Sequence, residues 1–478
     1  MPEELSPEAA PPEVLSMSAD VNRGAGPRVD VRRYARLMLK YGLVRPAAGQ
    51  ADLTSVARYM FWLMFRNVAS DGLVFDDPVN PGIVSQPGCV LASPSWENTA
   101  THVTQDYVYN WTRDAAIVAR EMSAAYTAGT LPDDQPLIDY VTFAKLCQDS
   151  PGDFDRASFY INGTQRPWTN QTDGPALQTL ALLTVYGQVD AATQAIASAL
   201  ISANLNFLAN AYQGQTYNLW EEEFGDSFFA RSVQLKCFQA IAANGLRIEV
   251  PGWLPAAISW LSSALDQHWN GEYYQSMLPV PTDYRAPYDP NIDVVQAAIY
   301  GAESVTDTRL LATAAKLRAQ WADPGSKYFY PINGDDAGRG IGPLLGRYPG
   351  DVYDGDTDAL AGDHPWALTT ANFAELYYRL AGKIASSGTV PADSLSAPFF
   401  AQIGVDVTTS QSAPPAEVAA ALRAAADRML QSIVFHSDHL ELSEQFDAVT
   451  GYEKSVSNLS WSYAAFLSAV RARSASAD

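Results

Sequence analysis

Apolar residues recur at spacings of three and four along most of this chain, the pattern of helices that bury one face. It predicts helices over 53–69, 115–126, 175–186, 191–208, 224–243, 253–265, 294–300, 308–321, 366–381, 415–435 and 460–471. Strand-like alternation is scarce, so the fold class expected is all-α. About a dozen helices without a short sequence repeat suggest either a closed double ring, an (α/α)6 barrel, or a less regular bundle. Residues 1–35 are rich in Pro, Ala and acidic groups and read as a flexible tail, followed by a single domain over 36–473.

Long polar segments interrupt the helices. Residues 333–363 form a run of Gly, Asp and Pro with little periodicity, and 76–104 and 149–173 are similar. Loops of that length in a compact domain usually carry function, and on a rigid helical ring they would line a pocket at one end.

Charge narrows the choice of ligand. A formal net charge of −22 leaves no basic footprint for nucleic acid or an anionic membrane, so a neutral or cationic ligand fits better. The 24 Tyr, 18 Phe and 11 Trp supply flat apolar rings suited to sugar faces. Cys89, Cys147 and Cys237 lie far apart with no metal-ligand spacing, so neither a disulfide framework nor a metal or other cofactor is expected. No basic and apolar leader opens the chain, and no window reaches the roughly 20 apolar residues of a membrane span. A cytoplasmic monomer is the expectation, or a secreted protein if a leader has been removed.

Five segments could carry chemistry. NLWEEEFGDSFF, residues 218–229, sets Glu221, Glu222 and Glu223 behind Trp220 and ahead of Phe224, Phe228 and Phe229. One reading makes the glutamates decoration at a helix N-terminus. The other makes one of them a general acid, its ionised form disfavoured by an aromatic wall and a neighbouring carboxylate. LELSEQFDAVTG, residues 440–451, offers Glu444 as the partner carboxylate, with Glu441 and Asp447 as competitors. DYVYNWTRDAAIVAREM, residues 106–122, brings Tyr107, Tyr109 and Trp111 ahead of the Arg113-Asp114 pair, whose compensated charges could grip adjacent hydroxyls of one sugar. RPWTNQTDGPALQ, residues 166–178, adds Trp168, and LLGRYPGDVY, residues 344–353, adds Arg347 and Asp351.

Taken in order, ASPS (residues 92–95), YVYNWTRDAA, DGPAL, LWEE, GRYPGDVY, SEQF and LSWSYAA resemble the motifs of glycoside hydrolase family 15, the glucoamylase family, in its fungal-type branch. The resemblance spans residues 92–465 and implies an (α/α)6 barrel that hydrolyses α-glucosides from the non-reducing end with inversion. By resemblance Glu221 is the general acid and Glu444 the general base, and Glu222 helps hold the sugar. Tyr107 would position the attacking water, Arg113 and Asp114 would grip the terminal glucose, and Trp111 would wall the pocket. Arg347 would contact hydroxyls near the scissile bond, Leu219 and Trp220 would add backbone or ring contacts, Trp168 would be a platform, and Trp461 would close the pocket.

The chain departs from the family pattern at Asn218, where Asp is common, at Glu223, usually apolar, and at Gln178, often Arg; Trp168 stands one residue nearer DGPAL. No starch-binding module follows residue 472, so maltooligosaccharides are the expected substrates. Cleavage of α-1,6 links or trehalose keeps the same mechanism, and a non-catalytic glucan sensor is the alternative from another class. Asn110, Asn162, Asn170 and Asn458 head sequons, read as chance matches.

Overall fold

A computed structural model describes residues 49–96, 105–246, 248–282, 287–356, 362–408 and 413–476. The expected tail, 1–35, lies outside the described residues. Fourteen α-helices are described. They are α1 (Leu53–Phe65), α2 (Thr112–Thr127), α3 (Gln135–Asp149), α4 (Asp173–Val185), α5 (Ala191–Ala211), α6 (Phe228–Ala242) and α7 (Leu254–Asp266). There follow α8 (Asp293–Ile299), α9 (Thr308–Ala322), α10 (Pro331–Arg339), α11 (Ala367–Ser387), α12 (Ala397–Ala401), α13 (Pro415–His436) and α14 (Ser460–Ala475).

Packing closes these helices into two rings. Helices α2, α4, α6, α8, α11 and α14 each touch the next, and α14 returns to α2. Against their outer faces lie α3, α5, α7, α9, α13 and α1 in turn. The last hairpin is therefore closed by the two ends of the fold, with C-terminal α14 inside and N-terminal α1 outside. This is the (α/α)6 barrel expected from the sequence. Position in the ring dictates composition: α8, buried all round, exposes none of its seven residues, whereas α7 buries only Leu254, Ala257, Leu261, Ala264 and Leu265 along one stripe. Aspartate side chains cap outer helices, Asp190 accepting from the Thr193 N–H at 2.8 Å before α5 and Asp307 from Arg309 at 2.9 Å before α9.

Three small antiparallel sheets decorate the described loops: β1 (Tyr109–Trp111) with β2 (Ser158–Tyr160); β3 (Thr216–Tyr217), β4 (Phe224–Ser227) and β5 (Met277–Leu278); and β6 (Gln445–Phe446) with β7 (Glu453–Lys454). Strand β1 runs directly into α2 and β4 directly into α6, so the strands gather at the N-terminal end of the inner ring.

The structure corrects several sequence expectations. Residues 224–227 are strand β4, and the helix starts at Phe228 because the Ser227 hydroxyl caps it, accepting from the Ala230 N–H at 3.2 Å. The glutamate run thus precedes a strand and occupies no helix N-terminus. Helix α3 was not expected, and α10 occupies the first part of the segment read as an irregular loop. Among the described residues no helix is long and apolar enough to cross a membrane.

Candidate active site

The turn at residues 218–223 separates its three glutamates. Asn218, fully buried, accepts the N–H groups of Glu222 at 2.9 Å and Glu223 at 3.2 Å on its side-chain oxygen, winding the chain tightly. Glu221 is forced to φ 64°, the left-handed region where a residue with a Cβ is strained by about 1–3 kcal/mol. Successive side chains therefore leave in different directions.

Glu221 turns toward the loop indoles. Its Oε1 accepts from Trp111 Nε1 at 2.6 Å, and its Oε2 accepts from Trp168 Nε1 and from the Thr169 hydroxyl at 3.2 Å. The Arg113 guanidinium stands 3.7 Å away. The wall foreseen from Phe224, Phe228 and Phe229 does not form. Phe228 and Phe229 are core residues, and Phe224 is exposed against Tyr217 with ring centres 5.4 Å apart.

Glu222 turns the other way, accepting from Arg347 at 2.8 Å and from the Tyr348 hydroxyl at 2.9 Å. Arg347 is simultaneously forked onto Asp351 through two bonds of 2.7 Å. Its guanidinium is boxed by the rings of Trp220, Tyr353 and Trp366 at 4.9–5.1 Å. A buried cation is tolerable only with such compensation.

Glu444, 2% exposed, sits just before β6. Its Oε1 accepts from the Tyr107 hydroxyl at 3.0 Å, and its Oε2 from Tyr353 at 2.9 Å and Ser455 at 2.5 Å. Burial pushes its carboxyl above the ordinary glutamate range, while the Ser455, Tyr353 and Tyr107 hydroxyls and Arg347 pull the other way. Ser455 also has a positive φ, 65°, so both carboxylates depend on strained turns.

The first turn of α2 supplies Arg113 and Asp114, both buried. Arg113 approaches Asp114 at 3.3 Å and Asp173 at 3.4 Å, and donates to Gln171 at 2.8 Å. Burial raises Asp114 to about 6, opposed by Arg113 and reinforced by Glu221. Arg113 Nε and Asp114 Oδ2, the two atoms of that 3.3 Å ion pair, are buried and make no hydrogen bond, which leaves them able to donate to and accept from a polyhydroxylated ligand. Beneath them Trp461, in the first turn of α14, stacks under Arg113 at 5.1 Å.

Tyr107 and Trp111 bring both halves together, their rings 5.3 Å apart, one holding Glu444 and the other Glu221. The candidates named from sequence thus fall at one mouth of the barrel. Trp168, 46% exposed, stands at the rim, with the Arg166 guanidinium 4.1 Å over its ring. Leu219 points into the core, so only its backbone faces the site. The competitors separate from Glu444: Glu441 pairs with Arg66 at 3.0 Å, and Asp447 accepts Val449 and Thr450 N–H groups in its own turn. Sequence reasoning gave no role to Tyr353, Ser455, Gln171, Asp173 or Trp366. Tyr353 and Asp173 stood inside quoted motifs; Ser455 had no signal at all. Asn110 is buried with its amide donated to Val90 O at 2.9 Å, which leaves no room for a glycan.

A closed double ring of helices with carboxylates and indoles at one mouth places the protein among the glycoside hydrolases. The chain belongs to glycosyl hydrolases family 15, whose family model matches residues 62–471. It is 27% identical over 464 residues to a glucoamylase from Blastobotrys adeninivorans, covering 86% of this chain and 72% of that protein. It is 26% identical over 440 residues to a probable glucoamylase from Schizosaccharomyces pombe, covering 86% and 89%. A solved glucoamylase from Hormoconis resinae superposes with a TM-score of 0.69 at 25% identity, covering 88% of this chain and 73% of that one. The glucoamylase from Saccharomycopsis fibuligera gives 0.73 at 23% identity, covering 89% and 95%, a likeness of fold.

Proposed function

We propose that this chain is an inverting, exo-acting α-glucosidase that releases β-D-glucose from the non-reducing ends of α-1,4-glucans and maltooligosaccharides. It acts as a monomer through a single catalytic domain over residues 36–473. Family membership and the glucoamylase relatives support the reaction class. The observation that carries the assignment of roles is the Tyr107–Trp111 pair, which ties Glu444 and Glu221 to one pocket wall.

In this reading Glu221 gives its proton to the glycosidic oxygen as the C–O bond breaks. Glu444 takes a proton from a water that attacks the anomeric carbon from the opposite face, which inverts the centre. Inversion needs roughly 6.5–9.5 Å between the two carboxyls, leaving space for that water. Tyr107, bonded to Glu444, positions the water. Arg113 and Asp114 grip the terminal glucose against Trp111 and Trp461, and Glu222, Trp220, Arg347 and the Leu219 backbone hold the hydroxyls beside the bond. Trp168 receives the next sugar. A hydrolysis panel of maltose, maltotriose, isomaltose, kojibiose and trehalose tests the substrate: maltose and maltotriose are turned over fastest, and a preference for isomaltose or trehalose would overturn the α-1,4 assignment.

A further inference from the structure

The other end of the barrel holds a cavity of about 640 Å³ that the reaction does not use. It lies among the later residues of the inner helices, with Tyr300 in its lining; the Tyr300 hydroxyl accepts from Trp461 Nε1 at 3.0 Å, so the cavity backs onto the floor of the sugar pocket. Arg120 lines it seven residues beyond Arg113 on α2, about 10 Å along the helix at 1.5 Å per residue.

Its charge is opposite to that of the whole chain. In a protein of net charge −22, the lining offers Arg120, Lys236, Arg379 and Lys383 against a single carboxylate, Glu303. Burial, reinforced by Asp307, raises Glu303 to about 7, which weakens even that negative charge near neutrality. Arg379 is committed to Glu375 at 2.5 and 2.8 Å, and the nearby Glu121 is committed to Arg471 at 2.9 Å. Arg120, Lys236 and Lys383 have no side-chain hydrogen bond or ion pair among the described residues.

Arg120 is the anomaly. Burial pushes its guanidinium below the ordinary arginine range, and Arg379 and Arg471 act in the same direction, against the opposing carboxylates of Glu121 and Glu375, which are themselves bonded to Arg471 and Arg379. Arg120 is half-buried, and a cation partly withdrawn from water without a hydrogen-bonded partner of its own is costly, so proteins normally pair it. The helix dipole does not account for it: cations gain from the dipole in the last turn, and Arg120 is the ninth of sixteen residues in α2. One half-buried arginine and two exposed lysines around one cavity, none in an ion pair among the described residues, suit a dianion better than a monoanion. The volume, within the range of about 300–1,000 Å³ typical of small-molecule sites, leaves space for an organic group beside it.

We propose that this cavity is a second ligand site, selective for a small phosphate-bearing anion, with Arg120 as its central contact and Lys236 and Lys383 at its mouth. The ligand can be inorganic phosphate or a phosphate monoester, and the experiment separates the two.

Isothermal titration is carried out on Glu221→Gln protein saturated with maltose, which keeps the sugar pocket filled. Inorganic phosphate and glucose 1-phosphate are each titrated at millimolar concentrations. Binding of one equivalent is expected, equal for the two probes if free phosphate is the ligand and tighter for glucose 1-phosphate if an ester is. Adding Arg120→Gln weakens binding at least tenfold, and in the otherwise native enzyme the same substitution leaves maltose hydrolysis unchanged. Should Arg120→Gln compromise folding, the exposed pair Lys236→Gln/Lys383→Gln decides, with a severalfold loss expected. No heat from either probe, or heat indifferent to these substitutions, overturns the proposal.

Discussion

Glu444 is clasped from behind by the hydroxyls of Tyr107, Tyr353 and Ser455, whereas Glu221, with 13% of its side chain exposed, reaches forward among loop groups. Two of Glu221's partners, Trp168 and Thr169, belong to the loop at the rim. The contrast matches the proposed roles. A base that meets one small water is served by a fixed, enclosed position, while an acid must meet a large leaving group arriving from solvent. Two chemically identical side chains are thus divided by their surroundings, and the turn at Asn218 does the dividing for Glu221 and Glu222 as well.

The contrast breaks most directly if both carboxylates are neutralised in turn. Glu221→Gln and Glu444→Gln are each expected to lower kcat on the order of 10²–10⁴-fold, the usual contribution of general acid–base groups. An aryl glucoside with a good leaving group should restore Glu221→Gln far more than Glu444→Gln, since only the acid assists departure. Equal restoration in steady-state assays would dissolve the distinction.

Next in size is Arg347→Lys. A lysine cannot keep the fork onto Asp351 together with the bond to Glu222, so kcat/KM should fall by about 1.5–3 kcal/mol, the worth of hydrogen bonds to charged groups.

The enclosure of Glu444 is tested by Tyr353→Phe. Burial already places its carboxyl above the ordinary range, and the base works only when ionised, so activity is lost as pH falls through that raised value. A hydroxyl donor favours the ionised form, and its removal moves the acid limb of the kcat/KM profile to still higher pH. A limb that stays in place or moves to lower pH would contradict the account. The smallest effect belongs to the rim: Trp168→Phe removes one hydrogen bond to Glu221 and should cost about 0.5–1.5 kcal/mol, read mainly in KM for maltotriose.

The helices were legible because eleven apolar stripes of helical spacing leave few alternatives. That pattern alone left a closed ring and a less regular bundle both open, and the resemblance of the loop motifs to family 15 decided for the ring. What escaped had physical reasons. Helix α10 is polar and Gly-containing, held by tertiary bonds such as Asn333 to Leu344 at 2.8 and 2.9 Å, which no local pattern encodes. Helix α3 carried its own signal, Pro136 in the first turn and Leu137, Tyr140, Val141 and Ala144 at helical spacing. The early start at Phe224 came from Phe224 and Phe228 standing four apart, a spacing that a strand followed by a capped helix reproduces. Within the site, motif residues were found because they are contiguous in sequence. Ser455 was not, since its bond to Glu444 depends on the β6–β7 hairpin folding back.

The measurement that goes furthest toward the central claim is proton NMR of glucose at the first moments of its release from maltose, before the anomers equilibrate. Two carboxylates acting on opposite faces through a water predict β-glucose as the initial product. α-Glucose would mean that one of them attacks the sugar directly, and the division of roles between Glu221 and Glu444 would fail.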